Sequence, residues 1–119
     1  MRRAVGTLAA ILLLITACSP VTSRSAAISA GERAVGAVQV TRVDAKELTW
    51  ADWQQRSGNR GGPVPGPPDS TRIWAVAIQG HLSKLRNVTA GVAILNAATG
   101  DMIMATTDGH NWPPYWDSL

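Results

Sequence analysis

The chain of 119 residues opens with an uninterrupted apolar stretch. Arg2 and Arg3 precede it, and no charged residue occurs from Ala4 to Ala17. In a helix, about 14 residues at 1.5 Å each cover roughly 21 Å, less than the roughly 30 Å hydrocarbon core of a bilayer. A positive start followed by a short apolar centre is typical of a signal peptide. We therefore expect residues 1–17 to be a leader rather than a permanent transmembrane helix.

A small, polar segment follows the leader and precedes a weak helical pattern. Residues 18–28 contain too few apolar side chains to pack, so we expect them to form a tether. Ser29 and Glu32 have the spacing of a capping box, which predicts a short helix over residues 30–37. A strand that begins at Ala34 is the alternative.

Polarity then alternates with a period of two from Val38 to Leu48, which predicts a half-exposed strand. One face of this strand carries alternating charges and is most simply a solvated face; its residues are Arg42, Asp44 and Lys46. Thr49 is placed to cap a single helical turn, which would carry Trp50 and Trp53 on one side.

Three further strands are predicted in the second half of the chain. Thr71–Gly80 is apolar on both faces. One face carries Trp74, Val76 and Ile78. The other carries Ile73, Ala75 and Ala77, and its small alanine side chains suit a helix lying across it. Ala90–Leu95 and Met102–Thr107 are joined by a turn in which Gly100 can supply a positive φ.

A segment rich in glycine and proline, residues 57–70, separates the first predicted strand and helical turn from the others. Its prolines lack N–H donors, so we expect a long exposed loop, which is either a flexible connection or functional. The sequence thus predicts one α+β domain over residues 29–119, with an N-terminal helix packed on an antiparallel sheet of about four strands.

Composition narrows the classes of function. Two of the 11 basic residues, Arg2 and Arg3, lie in the leader, which leaves nine basic against eight acidic residues and a net charge near +1. We therefore expect no nucleic-acid partner. The chain has one cysteine, so it cannot form an internal disulfide bond.

Candidate chemical groups are few. His81 and His110 lie far apart, and Asp108 with His110 would offer two ligands where a zinc site needs at least three. The carboxylates are scattered singly, so paired acid and base catalysis is not indicated. We expect no metal, no cofactor and no enzymatic activity.

With five Trp, one Tyr and no Phe, tryptophan must supply most of the aromatic burial. We expect Trp74 to be a core residue. The C-terminal residues Trp112, Tyr115 and Trp116 have two interpretations: they pack over the sheet, or they form an exposed patch that binds a partner. If they are core, the strand that carries Arg42 is the alternative binding surface.

The end of the leader, Ile15-Thr16-Ala17-Cys18, resembles the lipobox of bacterial lipoproteins. The resemblance implies that Cys18 becomes the first residue of the mature protein and carries acyl chains such as palmitate, which anchor it in membrane lipid. Ser19 does not resemble the aspartate that retains lipoproteins in the inner membrane. The expected location is the extracytoplasmic face of a membrane, the outer membrane included if the cell has one.

The second half of the chain resembles the PepSY and cystatin-like group of small extracytoplasmic domains. The resemblance rests on Ile73–Gly80 and Gly91–Ile103, where Asn96 and Asp101 stand at the acidic positions of a turn of the type Asp-Ala-x-Thr-Gly-Glu. It covers Ser29–Thr107, and the chain also resembles uncharacterised lipoproteins of high-GC bacteria.

This resemblance implies a binding or regulatory module that restrains a protease or binds another protein of the cell envelope. The alternative is a small envelope enzyme or ligand carrier with a pocket between helix and sheet.

Anchoring is expected to depend on the Cys18 sulfur. Cys18→Ala should leave an unprocessed or soluble protein, because the variant has no attachment point for the acyl chains. Metabolic labelling with a fatty acid should mark the wild type and not the variant. Equal labelling of both proteins would contradict the lipobox interpretation.

Overall fold

The computed structural model describes residues 22–58, 66–82, 89–109 and 111–119. Two helices, four strands and a short 3₁₀ helix follow one another as α1 Arg24–Val35, β1 Ala37–Thr49, α2 Trp50–Arg56, β2 Arg72–Leu82, β3 Ala90–Asn96, β4 Met102–Gly109 and the 3₁₀ helix Trp116–Ser118. The predicted α+β class is confirmed, and each predicted strand is found to within a few residues.

The four strands form one antiparallel sheet in the order β1-β2-β3-β4. Because β2 and β3 are central, their side chains are buried on both faces. Helix α1 packs on one face, while α2 and the C-terminal residues pack on the other. The core therefore has two layers, one on each side of the sheet.

Helix α1 begins earlier than the sequence predicts. Its N-cap is Ser23, whose Oγ accepts a hydrogen bond from the Ala26 N–H at 3.1 Å, and Ala27 is fully buried. The predicted cap at Ser29 and the alternative strand from Ala34 are both wrong, because the helix runs to Val35. Residues 24–28, expected in the tether, belong to the domain because burial of Ala27 fixes this first turn against the sheet.

The face of the sheet that α1 covers also differs from the prediction. The helix lies over the larger side chains, Val76 and Ile78, rather than over the alanines of β2. Gly31 makes this approach possible: a Cβ atom there would lie 3.0 Å from Val76 Cγ1. The glycine that weakens the helix in isolation is thus required where the helix meets the sheet.

Strand β1 changes register twice against β2, between Ala37 and Gln39 and between Val40 and Arg42. The second shift is an irregularity of the β-bulge type, and it places Val40 on the α1 face and Arg42 on the opposite face. Gly80 lies opposite this region, and a side chain there would collide with the Gln39 carbonyl oxygen. Arg42, Asp44 and Lys46 are thereby directed to the face without α1.

The turn between β3 and β4 is as predicted. Gly100 has a φ of 80°, and the Asn96 Oδ1 accepts hydrogen bonds from the N–H groups of Ala98 and Thr99 at 2.8 and 3.1 Å. This Asn side chain takes the place of backbone acceptors within the turn.

Only part of the glycine and proline segment, residues 57–70, can be compared with the expected exposed loop, since residues 59–65 lie outside the described residues. Residues 68–70 are exposed, whereas Gly66 lies against the Trp50 indole, where a Cβ atom would be 2.5 Å from Cζ2. Gly66 therefore approaches α2 closely, although it is itself exposed.

Within the described ranges, no helix has both the length and the apolar character needed to cross a bilayer.

Candidate functional site

The face of the sheet opposite α1 is formed by small and branched side chains and is covered by tryptophans. Ala75, Ala77, Val92 and Ile94 supply the floor of this cluster. Trp116 packs against it and is 2% exposed. Because alanine side chains are short, they leave room for an indole ring directly over the strands.

Helix α2 supplies the other two buried tryptophans of this face. The Thr49 Oγ1 accepts a hydrogen bond from the Asp52 N–H at 3.1 Å, which confirms the predicted cap. The rings of Trp50 and Trp53 stack with their centroids 5.4 Å apart and an angle of 25° between planes. A helix of seven residues is thus stabilised mainly by the burial of two aromatic side chains.

Trp116 is held by two charged residues of β1. Its indole Nε1 donates a hydrogen bond to Asp44 Oδ2 at 2.8 Å, and its carbonyl oxygen accepts one from Lys46 Nζ at 2.8 Å. The Lys46 ammonium also lies 5.5 Å from the centre of the Trp116 ring. A buried indole N–H normally requires such a partner.

Arg42 extends this contact to Trp112. Its guanidinium lies 3.8 Å from the centre of the Trp112 ring, which in turn meets Trp116 edge to face at 5.8 Å. We call this set of contacts, formed by Arg42, Asp44, Lys46, Trp112 and Trp116, the C-terminal clamp. The charged face of β1 is therefore only partly solvated: Arg42 is exposed, but Trp112 and Trp116 lie against this face.

Asp44 also connects the clamp to α1. The Arg24 Nη2 donates to Asp44 Oδ1 at 2.7 Å, and the Ala45 N–H donates to the same oxygen at 2.8 Å. Partial burial raises the pKa of Asp44, but the donors of Trp116, Arg24 and Ala45 outweigh it and hold the pKa below its ordinary value of 3.8. The carboxylate therefore stays ionised at neutral pH and links the first helix to the C-terminal residues.

In this arrangement, the three residues of the predicted partner patch differ in how deeply they are buried. Trp116 belongs to the core, which agrees with the first of the two interpretations and removes it from the candidate partner-binding residues, because its ring fits over the alanines. Trp112 and Tyr115 are half-buried. Trp74, expected in the core, is also half-buried, and its indole N–H donates to the Thr22 carbonyl at 2.9 Å.

A cavity of about 190 Å³ lies between the C-terminal residues and the sheet. Its walls are Ala90, Gly91, Val92, Thr106, Asn111, Pro113, Pro114 and Tyr115. Burial raises the pKa of the Tyr115 hydroxyl above its ordinary value of 10.0. Small and neutral side chains thus dominate the described lining, in contrast to the charged clamp beside it.

A more open depression, of about 520 Å³, lies where α1 leads into β1. Glu32 and Arg33 contribute its polar wall, and Val38, 66% exposed, its apolar rim. This depression adjoins α1, whereas the cavity near Tyr115 lies on the other face of the sheet.

The remaining predicted residues are not brought together. His81 is exposed at the end of β2, while His110, the side chain of Asp108, Cys18 and the lipobox residues lie outside the described residues. In the part of the chain that the structure describes, no three His, Cys, Asp or Glu residues form a group able to hold a metal ion.

Comparisons with protein-family models, with curated proteins and with solved structures found no match to the chain.

The lowered pKa of Asp44 makes the stability of the clamp dependent on pH. Its stabilising contribution is present above the unfolded pKa near 3.8 and is lost as pH falls through the lower, folded pKa. Asp44→Asn should therefore lower the melting temperature most at neutral pH, and its difference from the wild type should shrink in acid.

Glu47→Gln is the matched control, since Glu47 is an exposed carboxylate of the same strand whose partner Arg72 is 3.5 Å away. Thermal unfolding followed by circular dichroism from pH 7 to about pH 2 measures both variants. If the difference in melting temperature between Asp44→Asn and the wild type stays constant with pH, the charge of Asp44 does not stabilise the clamp.

Proposed function

We propose that the protein is a membrane-anchored extracytoplasmic lipoprotein whose domain binds another component of the cell envelope and, in that way, regulates it. The resemblance of Ile15-Thr16-Ala17-Cys18 to a lipobox supports the anchor. The helix on a four-stranded antiparallel sheet is the layout expected of a cystatin-like or PepSY-like binding domain, and it supports the second half of the proposal.

The start of the folded domain bears on how closely an anchor at Cys18 would hold it. Thr22 is already part of the fold, since its N–H donates to the Ala97 carbonyl at 2.9 Å. Four residue steps separate Cys18 from Thr22, and fully extended chain spans at most about 14 Å over that length. With acyl chains on Cys18, the domain would stay close to the membrane surface.

The contacts of Thr22 also indicate which end of the domain would face the membrane. Thr22 touches Ala97 and Trp74, at the end of the sheet where β3 turns into β4. Ala90, at the opposite end of β3, lines the cavity beside Tyr115. In the proposed orientation, this cavity therefore faces away from the bilayer.

The observation that carries the binding function is the exposed side of the C-terminal residues. Trp112 and Tyr115 are both half-buried rather than fully covered, and they lie beside the cavity and next to two prolines. Aromatic side chains contribute strongly to protein interfaces, and prolines reduce the entropy lost when a surface is ordered. The C-terminal clamp fixes the Trp112 ring in place through Arg42 and Trp116.

A ligand carrier is the second candidate, and the cavity itself favours it. About 190 Å³ is smaller than the roughly 300 to 1,000 Å³ of most ligand pockets and suits a molecule about the size of benzene. The lining combines apolar walls with the polar groups of Thr106, Asn111 and Tyr115. A partner protein inserting one side chain would use the same space. An enzyme is less well supported, because Tyr115 is the one titratable group among the described lining residues.

Blocking the cavity mouth tests the proposal. Asn111 lines the cavity and is exposed, so Asn111→Arg should fill the entrance without disturbing the core. Ser118→Arg is the control, because Ser118 also belongs to the C-terminal residues and is exposed, but it does not line the cavity. Crosslinking in intact cells should capture a defined partner with the wild type and Ser118→Arg, and not with Asn111→Arg.

Both variants should melt at the wild-type temperature, which separates lost binding from lost folding. Equal capture by both variants would move the binding surface elsewhere. If no protein is captured but the wild type and Ser118→Arg, and not Asn111→Arg, retain a small molecule detectable by mass spectrometry, the ligand-carrier function replaces the first proposal.

A further inference from the structure

The cavity beside Tyr115 lies where β4 departs from regular pairing with β3. Ala90 is opposite Gly109 and Val92 is opposite Thr106, so two steps along β3 correspond to three steps along β4. The additional residue makes this a β-bulge, a feature that is common beside active sites, where it redirects a side chain. Thr106 borders the bulge and also lines the cavity. The cavity is therefore bounded on one side by an irregularity of the sheet itself.

Thr106 is the polar residue on the sheet side of the cavity. It lies opposite Val92, and residues directly opposite each other in an antiparallel pair have their side chains on the same face of the sheet. Val92 belongs to the cluster that the tryptophans cover, so the Thr106 side chain lies on that face as well. Its hydroxyl can both donate and accept a hydrogen bond. The sheet thus contributes one neutral polar group beside the apolar side chains of Ala90 and Val92.

Three consecutive residues with rings, Pro113, Pro114 and Tyr115, form another side of the cavity. An aromatic ligand can stack against the Tyr115 ring, which adds to the affinity gained by burying its surface. Tyr115 also carries a hydroxyl. Burial alone raises the pKa of this group, since no hydrogen bond from the described residues contributes to the shift. The hydroxyl therefore stays protonated at neutral pH and can donate a hydrogen bond to a ligand.

The described lining residues carry no charged side chain at neutral pH. Of the charged clamp residues, Asp44 and Lys46 bind Trp116 instead. An ionised ligand in the cavity would lose its water without gaining an opposite charge, which is costly. A ligand without polar atoms would cover the hydroxyls of Thr106 and Tyr115 without offering them a partner. The lining therefore fits a neutral ligand that combines an apolar ring with one hydrogen-bonding group.

We propose that the cavity binds a phenol, an uncharged aromatic ring whose single hydroxyl forms hydrogen bonds with Thr106 and Tyr115. A cavity of about 150 Å³ is sufficient for benzene. Phenol is larger by one oxygen atom, so its ring fits the 190 Å³ of this cavity. The assignment rests on the proposed function, since the tyrosine side chain of a partner protein supplies such a ring. A free phenolic molecule supplies the same chemistry.

An NMR titration of the full chain in detergent with p-cresol, which corresponds to the tyrosine side chain, tests this ligand. The amide signals of Thr106 and Tyr115 should shift and saturate in the wild type and in Ser118→Arg. They should not shift in Asn111→Arg, in which the entrance is filled. Benzoate carries a charge and should leave the signals unchanged. No saturable shift with p-cresol, or equal binding of benzoate, would overturn the proposal.

Toluene, which is p-cresol without the hydroxyl, tests the two hydrogen bonds. The ratio of p-cresol affinity to toluene affinity is compared between proteins, so that partitioning of the probes into detergent cancels. Tyr115→Phe combined with Thr106→Val removes both hydroxyls with little change in shape, and this ratio should fall about tenfold. Thr107→Val is the control, because Thr107 adjoins Thr106 but does not line the cavity. An unchanged ratio in the double variant would overturn the assigned hydrogen bonds.

A blocked Gly-Tyr-Gly peptide distinguishes the two sources of the phenol. If a partner protein supplies it, the peptide should shift the same signals as p-cresol, and Gly-Phe-Gly should bind more weakly. Binding of p-cresol without the peptide supports the phenol site and assigns it to a free molecule. Crosslinking in cells reports on the proposed function separately. Capture of a partner by a wild type that does not bind p-cresol would keep that function and overturn the phenol site, whereas binding of p-cresol without capture would keep the site and reject the protein partner.

Discussion

Burial of Trp116 over the alanines of β2 is the interaction that completes this fold. A four-stranded sheet with two apolar central strands needs a cover on each face, and α1 covers only one. A helix of seven residues and the short 3₁₀ helix cover the other. Elements this short provide enough apolar area only if their side chains are large, and an indole can bury about 150 to 250 Å². Three tryptophans, Trp50, Trp53 and Trp116, meet that need in a chain without phenylalanine.

Asp44 couples this cover to the opposite side of the molecule. Its carboxylate accepts hydrogen bonds from Arg24, at the start of α1, and from Trp116, near the end of the chain. The two termini of the domain are thus joined through one residue of an edge strand. In the proposed lipoprotein, this contact would connect the part of the chain nearest the membrane to the residues that border the cavity.

Local patterns in the sequence were sufficient where the determinants of structure are local. Alternating polarity located β1, a segment apolar on both faces located β2, the turn with Gly100 located β3 and β4, and a Thr three residues before Asp52 located α2. The start of α1 could not be decided in this way, because Ser23 and Ser29 both have the form of a cap. The choice between them depends on Ala27, whose burial against the sheet is a long-range contact.

The candidate site was harder to predict for the same reason. Arg42, Asp44 and Lys46 alternate as the exposed face of a strand does, and nothing nearby in the chain shows that Trp112 and Trp116 lie against them. Asp44 and Trp116 are 72 positions apart. Composition gave one signal: because the chain has no phenylalanine, tryptophans must supply the aromatic side chains of the core. Composition does not indicate which of the five tryptophans are buried.

The most direct test of this account compares the thermal unfolding of Trp116→Ala with that of Trp112→Ala in the full chain. Trp116 is fully covered and Trp112 is half-buried, although both belong to the C-terminal clamp. Trp116→Ala should lose about 3 to 5 kcal/mol of unfolding free energy, and Trp112→Ala clearly less. Equal losses, or a Trp116→Ala variant as stable as the wild type, would show that the C-terminal residues do not complete the core.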